Sequence, residues 1–133
     1  MSMKPHILLI DDDDDDQFIF LAAIKEAAPG YECRISNNGP EGLIALNANS
    51  SYPEIIFLDL NMPLLNGFEF LVMLKTDVKF SGIPVIIFST SDNPSDKKRA
   101  RDLGALRFIT KTADIQLLKR DLIQIFNSEL LPT

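Results

Sequence analysis

The chain has 133 residues, 46% of them apolar, and carries 13 basic against 19 acidic side chains for a net charge of −6. That length fits one domain with a core of its own, and the acidic balance argues against nucleic acid as a main partner, because holding phosphates takes a basic field. The single cysteine excludes an internal disulfide and a cysteine-based metal cluster, and no apolar run approaches the roughly 18 to 20 residues of a membrane span.

The N-terminal MSMKPH has neither the basic flank nor the long apolar stretch of a signal peptide, so a soluble cytoplasmic protein with no membrane partner is expected. Ile7–Ile10 reads as a first strand, and six aspartates, Asp11 to Asp16, follow it directly. A block of like charge is usually a solvated tail. This one lies between two apolar segments, Ile7–Ile10 and Phe18–Ile24, and so inside a folded unit. A helix is expected over Gln17–Ala28, ending at Pro29-Gly30, and a strand over Tyr31–Ser36, where Cys33 serves as a small hydrophobe. Glu41–Ala48 is the next helix, with Pro40 suited to its first turn. Ile55–Leu58 is the third strand, and Phe68–Thr76, after Asn66-Gly67, the third helix.

Val85–Ser89 is a strand rich in branched residues. Ser95–Leu103 reads as a helix with Asn93 as cap, Pro94 at the first position and a stop at Gly104. Leu106–Thr110 is the fifth strand. The helix Asp114–Asn127 places Ile115, Leu118, Leu122 and Ile125 on one face, the stripe of a helix lying on a sheet. Five strictly alternating β–α units predict an α/β fold with a five-stranded, doubly wound parallel sheet and right-handed crossovers. Nothing marks a second domain within residues 1–133, with the core at about 6–127.

In open parallel sheets, ligands bind beyond the carboxyl ends of the strands, where strand order reverses. The residues with chemistry fall there: Asp11 and Asp12 after the first strand, Asp59 after the third, Ser89 and Thr90 at the fourth, Lys111 after the fifth. Three carboxylates without a counter-charge repel, but such an oxygen-rich cluster suits a hard cation such as Mg2+, with Mn2+ as a substitute. Asp13 to Asp16 are then expected to run into the first helical turn, where carboxylates cap amides and favour the positive end of the dipole.

Four segments in order, LLIDDD, DLNMPLLNGFEFL, PVIIFSTS and GALRFITK, resemble the receiver domain of two-component response regulators over about Ile7 to Phe126. The resemblance implies the flavodoxin-like (βα)5 fold. It also implies Mg2+-dependent transfer of a phosphoryl group to Asp59 from the phosphohistidine of a sensor histidine kinase or a histidine phosphotransfer protein. On the matching positions, Asp59 is the phosphoacceptor, Asp12 a direct metal ligand, and Asp11 a metal-site ligand acting through water. Asn61 offers its backbone carbonyl to the metal. Lys111 pairs with the phosphoryl oxygens, the Ser89 hydroxyl and the Thr90 amide contact them, and Ser89 with Phe108 forms the switch. The chain resembles stand-alone, chemotaxis-type receivers. DLNMP, STSD and DVKFSGIPV also resemble small receivers that partner phytochrome-type kinases. It departs from the family at Lys111-Thr112, where proline after a cis bond is usual.

With the tail reading NSELLPT, no output domain is expected, and signalling to an unidentified downstream protein by surface contact is expected instead. The chain is not expected to be an enzyme beyond its own phosphorylation and dephosphorylation. Other readings are a phosphate shuttle in a multistep relay, a binding module that no longer takes phosphate, and a haloacid-dehalogenase-type phosphatase. The last needs a second aspartate where Asn61 stands, and asparagine cannot transfer a proton. An EF-hand fails for want of its glycine and final glutamate. His6 is expected at the wrong end for the site. Lys97–Arg101 reads as a solvated face or a docking surface, and Met62 with Leu64-Leu65 as loop packing or exposed contact.

Overall fold

The computed structural model describes residues 4–48 and 51–128; residues 129–133 of the expected tail lie outside that range. In chain order the elements are β1 (His6–Ile10), α1 (Asp14–Ala27), β2 (Glu32–Ser36), α2 (Gly39–Ala48), β3 (Ile56–Leu58), α3 (Gly67–Thr76), β4 (Val85–Ser89), α4 (Pro94–Asp102), β5 (Arg107–Thr110) and α5 (Ile115–Phe126). The five strands form one parallel sheet in the order β2-β1-β3-β4-β5. Strand order reverses between β1 and β3, so the expected crevice lies above those two strands. Among the described residues no helix is long and apolar enough to cross a membrane.

β1, β3 and β4 are buried along their whole length, as continuous apolar runs require in a sheet covered on both faces. Alternate side chains feed two cores. Ile7, Leu9, Phe57, Ile86 and Phe88 meet Phe20 of α1 and Leu118, Leu122 and Ile125 of α5. Leu8, Ile10, Ile56, Leu58, Val85 and Ile87 meet Leu46 of α2, Phe70, Leu71 and Leu74 of α3, and Ala100 of α4. The Phe20 ring lies 4.8 Å from Phe57 and 5.4 Å from Phe88, tilted against both.

Element ends differ from expectation where polar side chains extend a helix. α1 starts at Asp14, three residues before Gln17, because the Asp13 carboxylate accepts the Asp16 amide at 3.0 Å. α2 begins at Gly39 because Asn38 accepts the Glu41 amide at 2.8 Å. α3 opens on a capping box between Asn66 and Glu69. Asn93 and Pro94 start α4 as expected, and Gly104, at φ 108°, closes it: its amide bonds Arg101 and the next, Ala105, bonds Ala100. β2 starts at Glu32 because the Tyr31 amide turns back to Ala28.

Candidate functional site

The backbone first brings the strand ends together. The Asp59 amide bonds the Ile10 carbonyl at 3.0 Å and the Asp11 amide bonds Ser36 at 3.1 Å, continuing the ladders one residue past the strands. The Lys111 amide bonds the Ser89 carbonyl at 2.7 Å. These links converge the side chains of Asp11, Asp59, Ser89 and Lys111. Asp12 completes a carboxylate cluster in which one oxygen each of Asp11, Asp12 and Asp59 lies within 4.8 Å of the others. Asp11, Asp59 and Ser89 are buried, whereas Asp12, Asn61 and Thr90 face solvent.

Lys111 is the counter-charge. Its ammonium is 2.9 Å from Asp11 Oδ2, 3.4 Å from Asp59 Oδ2 and 2.7 Å from Asp16 Oδ2. Of these contacts, that to Asp16 has hydrogen-bond geometry. Asp11 Oδ1 accepts the Asp13 amide at 3.0 Å, but its Oδ2 is buried without a well-aligned donor even though the ammonium is near. The ammonium meets that oxygen as an ion pair and leaves its other lone pair open. With three carboxylates converging on one lysine charge, the residues fit a divalent metal.

The electrostatics follow from burial. Asp59 is pushed up to about 6 because its carboxylate is desolvated; Lys111 pulls it down, and Asp11 adds repulsion. Asp11 is raised for the same first reason, against the Asp13 amide and Lys111, which lower it. Burial would lower Lys111, but its hydrogen bond to Asp16, its ion pair with Asp11 and the charge of Asp59 outweigh it and raise the lysine.

The loop after Asp59 is tightly set. The Gly67 amide bonds the Leu60 carbonyl at 2.9 Å. A Cβ on Gly67 would meet Leu60 Cα at 2.7 Å and the Asp59 carbonyl closer still, so only glycine lets α3 begin against the backbone of Asp59. Leu64, at φ 72°, sits in a γ-turn closed by the Leu65 amide on the Pro63 carbonyl at 2.8 Å. Met62 is buried and Leu65 half-buried, while Leu64 is 83% exposed, so loop packing and exposed contact are divided among them.

Around β4 and β5, the Ser89 hydroxyl accepts the Ser91 amide at 3.2 Å, and the Ser91 hydroxyl reaches Asp96 of α4 at 2.7 Å. Phe108 is half-buried against the core beneath α4, with the Lys97 ammonium 5.8 Å from its ring centre. The Lys97–Arg101 stretch is locally paired: Lys97 with Asp92, Lys98 with Asp102, and the Arg99 guanidinium 4.1 Å from the Phe68 ring. The Lys111–Thr112 bond is trans, with the Thr112 hydroxyl accepting the Asp114 amide at 3.1 Å. His6 is buried at the opposite end of β1, and Cys33, whose thiol burial pushes up to about 12, packs beside the α1–α5 core.

Sequence reasoning missed Asp16. Treated as one more capping carboxylate, it sits four residues before buried Phe20 and so on the inward face of α1. That spacing was the available signal.

A family model for the response regulator receiver domain matches residues 7–123. The chain belongs to that family. Protein PilH of Pseudomonas aeruginosa is 33% identical over 112 residues, which are 84% of this chain and 89% of that one. The chain spans less than half the length of several other curated relatives that it matches. Among solved structures, the phosphorylated cyanobacterial phytochrome response regulator RcpA is 30% identical, with TM-score 0.86 over 98% of this chain and 100% of that one. The Mn2+-bound form of response regulator Rcp1 is 27% identical, with TM-score 0.83 over 97% and 99%. The five-stranded sheet is therefore the receiver fold, and the three-carboxylate cluster is its acidic pocket.

Proposed function

We propose that this receiver takes a phosphoryl group onto Asp59 from the phosphohistidine of a sensor histidine kinase or a histidine phosphotransfer protein. One observation carries the reading. The Lys111 ammonium reaches both Asp59 and Asp11 while Asp12 closes a carboxylate cluster around the same point. A carboxylate oxygen of Asp59 forms the new O–P bond as the P–N bond breaks, and the imidazole leaves with the electron pair and gains its proton from solvent. Asp59 needs no general base, because burial still leaves it largely ionised near neutrality.

Lys111 would pair with the phosphoryl oxygens, the Ser89 hydroxyl would donate to one of them, and the Thr90 amide would contact another. Such positioning and neutralisation is most of what phosphoryl transfer demands. Asp11, Asp12, Asp59 and the Asn61 carbonyl would hold Mg2+, which when bound supplies further positive charge to the phosphoryl oxygens. The phosphorylated RcpA and the Mn2+-bound Rcp1 support this assignment. That RcpA is a phytochrome response regulator is consistent with a kinase of that type.

When Ser89 turns to a phosphoryl oxygen it gives up its bond from Ser91, and Ser91 is tied to Asp96 of α4. That route carries the signal to the α4–β5–α5 face. Incubation with acetyl phosphate and Mg2+ should add one phosphate by intact mass and Asp59→Asn should abolish it. Full labelling of that variant would sink the assignment.

A further inference from the structure

Resting on that reading, we propose that Asp16 is a positioning residue that competes with the phosphoryl group for the Lys111 ammonium and so restrains phosphorylation of Asp59. Four carboxylates crowd the site, and Lys111 contacts three of them, matching the three protons of its ammonium. The distances run opposite to what the reaction needs: the shortest and best-aligned contact, 2.7 Å, goes to Asp16, which lies outside the metal cluster, and the longest, 3.4 Å, goes to the acceptor. A charge-assisted hydrogen bond of that kind holds an ammonium where it is.

The remaining contacts fix its direction. Lys111 is nearly buried, its Nζ 5.4 Å from the centre of the Phe88 ring. The Asp16 backbone is tied down by the bond from its amide to Asp13. A phosphoryl oxygen on Asp59 must therefore draw the ammonium from one of its partners. Asp11 and Asp59 have side chains 0% and 6% exposed, whereas that of Asp16 is 26% exposed and can be received by water. Asp16 is the partner that yields, and the cost of breaking its bond to the ammonium opposes the transfer.

The test uses the full chain with acetyl phosphate and Mg2+, a step in which an Asp59 oxygen bonds phosphorus, the phosphoanhydride O–P bond breaks and acetate leaves with the electron pair. Asp16→Asn should phosphorylate roughly 3–10-fold faster than wild type, the range expected for one partly exposed charge contact. Asp16→Ala should change in the same direction, and Asp15→Asn, which removes an equal charge from the same helical turn, should stay within about twofold. In a Lys111→Ala background, Asp16→Asn should have no effect, a non-additivity that a merely structural role would not produce. A rate equal to or below wild type in Asp16→Asn, or the same gain without Lys111, overturns the proposal while labelled wild type leaves the phosphoacceptor reading standing. Wild type that takes no phosphate overturns the phosphoacceptor reading and this inference with it.

Discussion

The interior of the sheet and its carboxyl edge are one or two residues apart along the same strands, yet they are built on opposite terms. Ile10, Leu58 and Phe88 are fully buried within the two apolar clusters. At Asp11 a carboxylate of equal burial is left with an unaligned oxygen, and at Asp59 desolvation makes ionisation costly. The difference teaches that the scaffold's stability comes from the middle of the strands, and that the edge is held in an unfavourable state by that scaffold.

The strongest way to break this contrast is to weaken the interior. Phe20 packs on both Phe57 and Phe88, so Phe20→Ala should cost about 3–5 kcal/mol in denaturant unfolding. A small loss would mean that the interior does not carry the fold.

Substitution at the edge should have the opposite sign. Asp59 titrates at about 6 in the fold against an ordinary value near 3.8, so the folded state keeps a proton that the unfolded chain releases. Its contribution to stability is full below pH 4 and is lost as pH rises through 6. In chelator, Asp59→Asn should therefore be more stable than wild type by about 1–3 kcal/mol at pH 7, the advantage vanishing near pH 4. Destabilisation at pH 7 would show that the acceptor carboxylate supports the fold.

Mg2+ sharpens the same comparison, since a ligand that binds only the native cluster stabilises as RT ln(1 + [L]/Kd), about 2.7 kcal/mol at a hundredfold excess over Kd. The rise in Tm should be largely lost in Asp12→Ala and kept in Asp15→Ala, which is outside the cluster. Equal losses would make the acidic run a diffuse charge cloud. The smallest effect is the movement of the edge itself. Beryllofluoride with Mg2+ should shift NMR signals at Ser89, Ser91 and α4, along the bonds that join them, and at Phe108 beneath α4, while Leu118 and Leu122 of α5 stay still. Shifts confined to Asp59 and its immediate ligands would favour a phosphate shuttle that leaves its own surface unchanged.

The interior was legible in the sequence because its signals are periodic: the α5 stripe, the branched runs of β1, β3 and β4, and the Asn93-Pro94 start of α4 all recur in the structure. The convergence of Asp11, Asp12, Asp59, Ser89 and Lys111 was legible too, because each directly ends or follows a strand. Harder to read was which aspartate of an identical run turns inward. The spacing of Asp16 four residues before Phe20 carries that information, but only once the start of the helix, which the Asp13 cap sets, is known. The unaligned Asp11 oxygen and the γ-turn at Leu64 depend on exact backbone paths and were equally hidden.

Gly67 gives the acceptor a dependence on something absent from the chain. A methyl group there would press on the backbone of Asp59 and Leu60, with no flexible side chain to absorb it. Gly67→Ala would thus shift the acceptor out of line while keeping every charged group. Such a protein would be a geometric knockout, deaf to phosphodonors with its chemistry intact, and set beside Asp59→Asn it would separate what the pocket's charge does from what its alignment does.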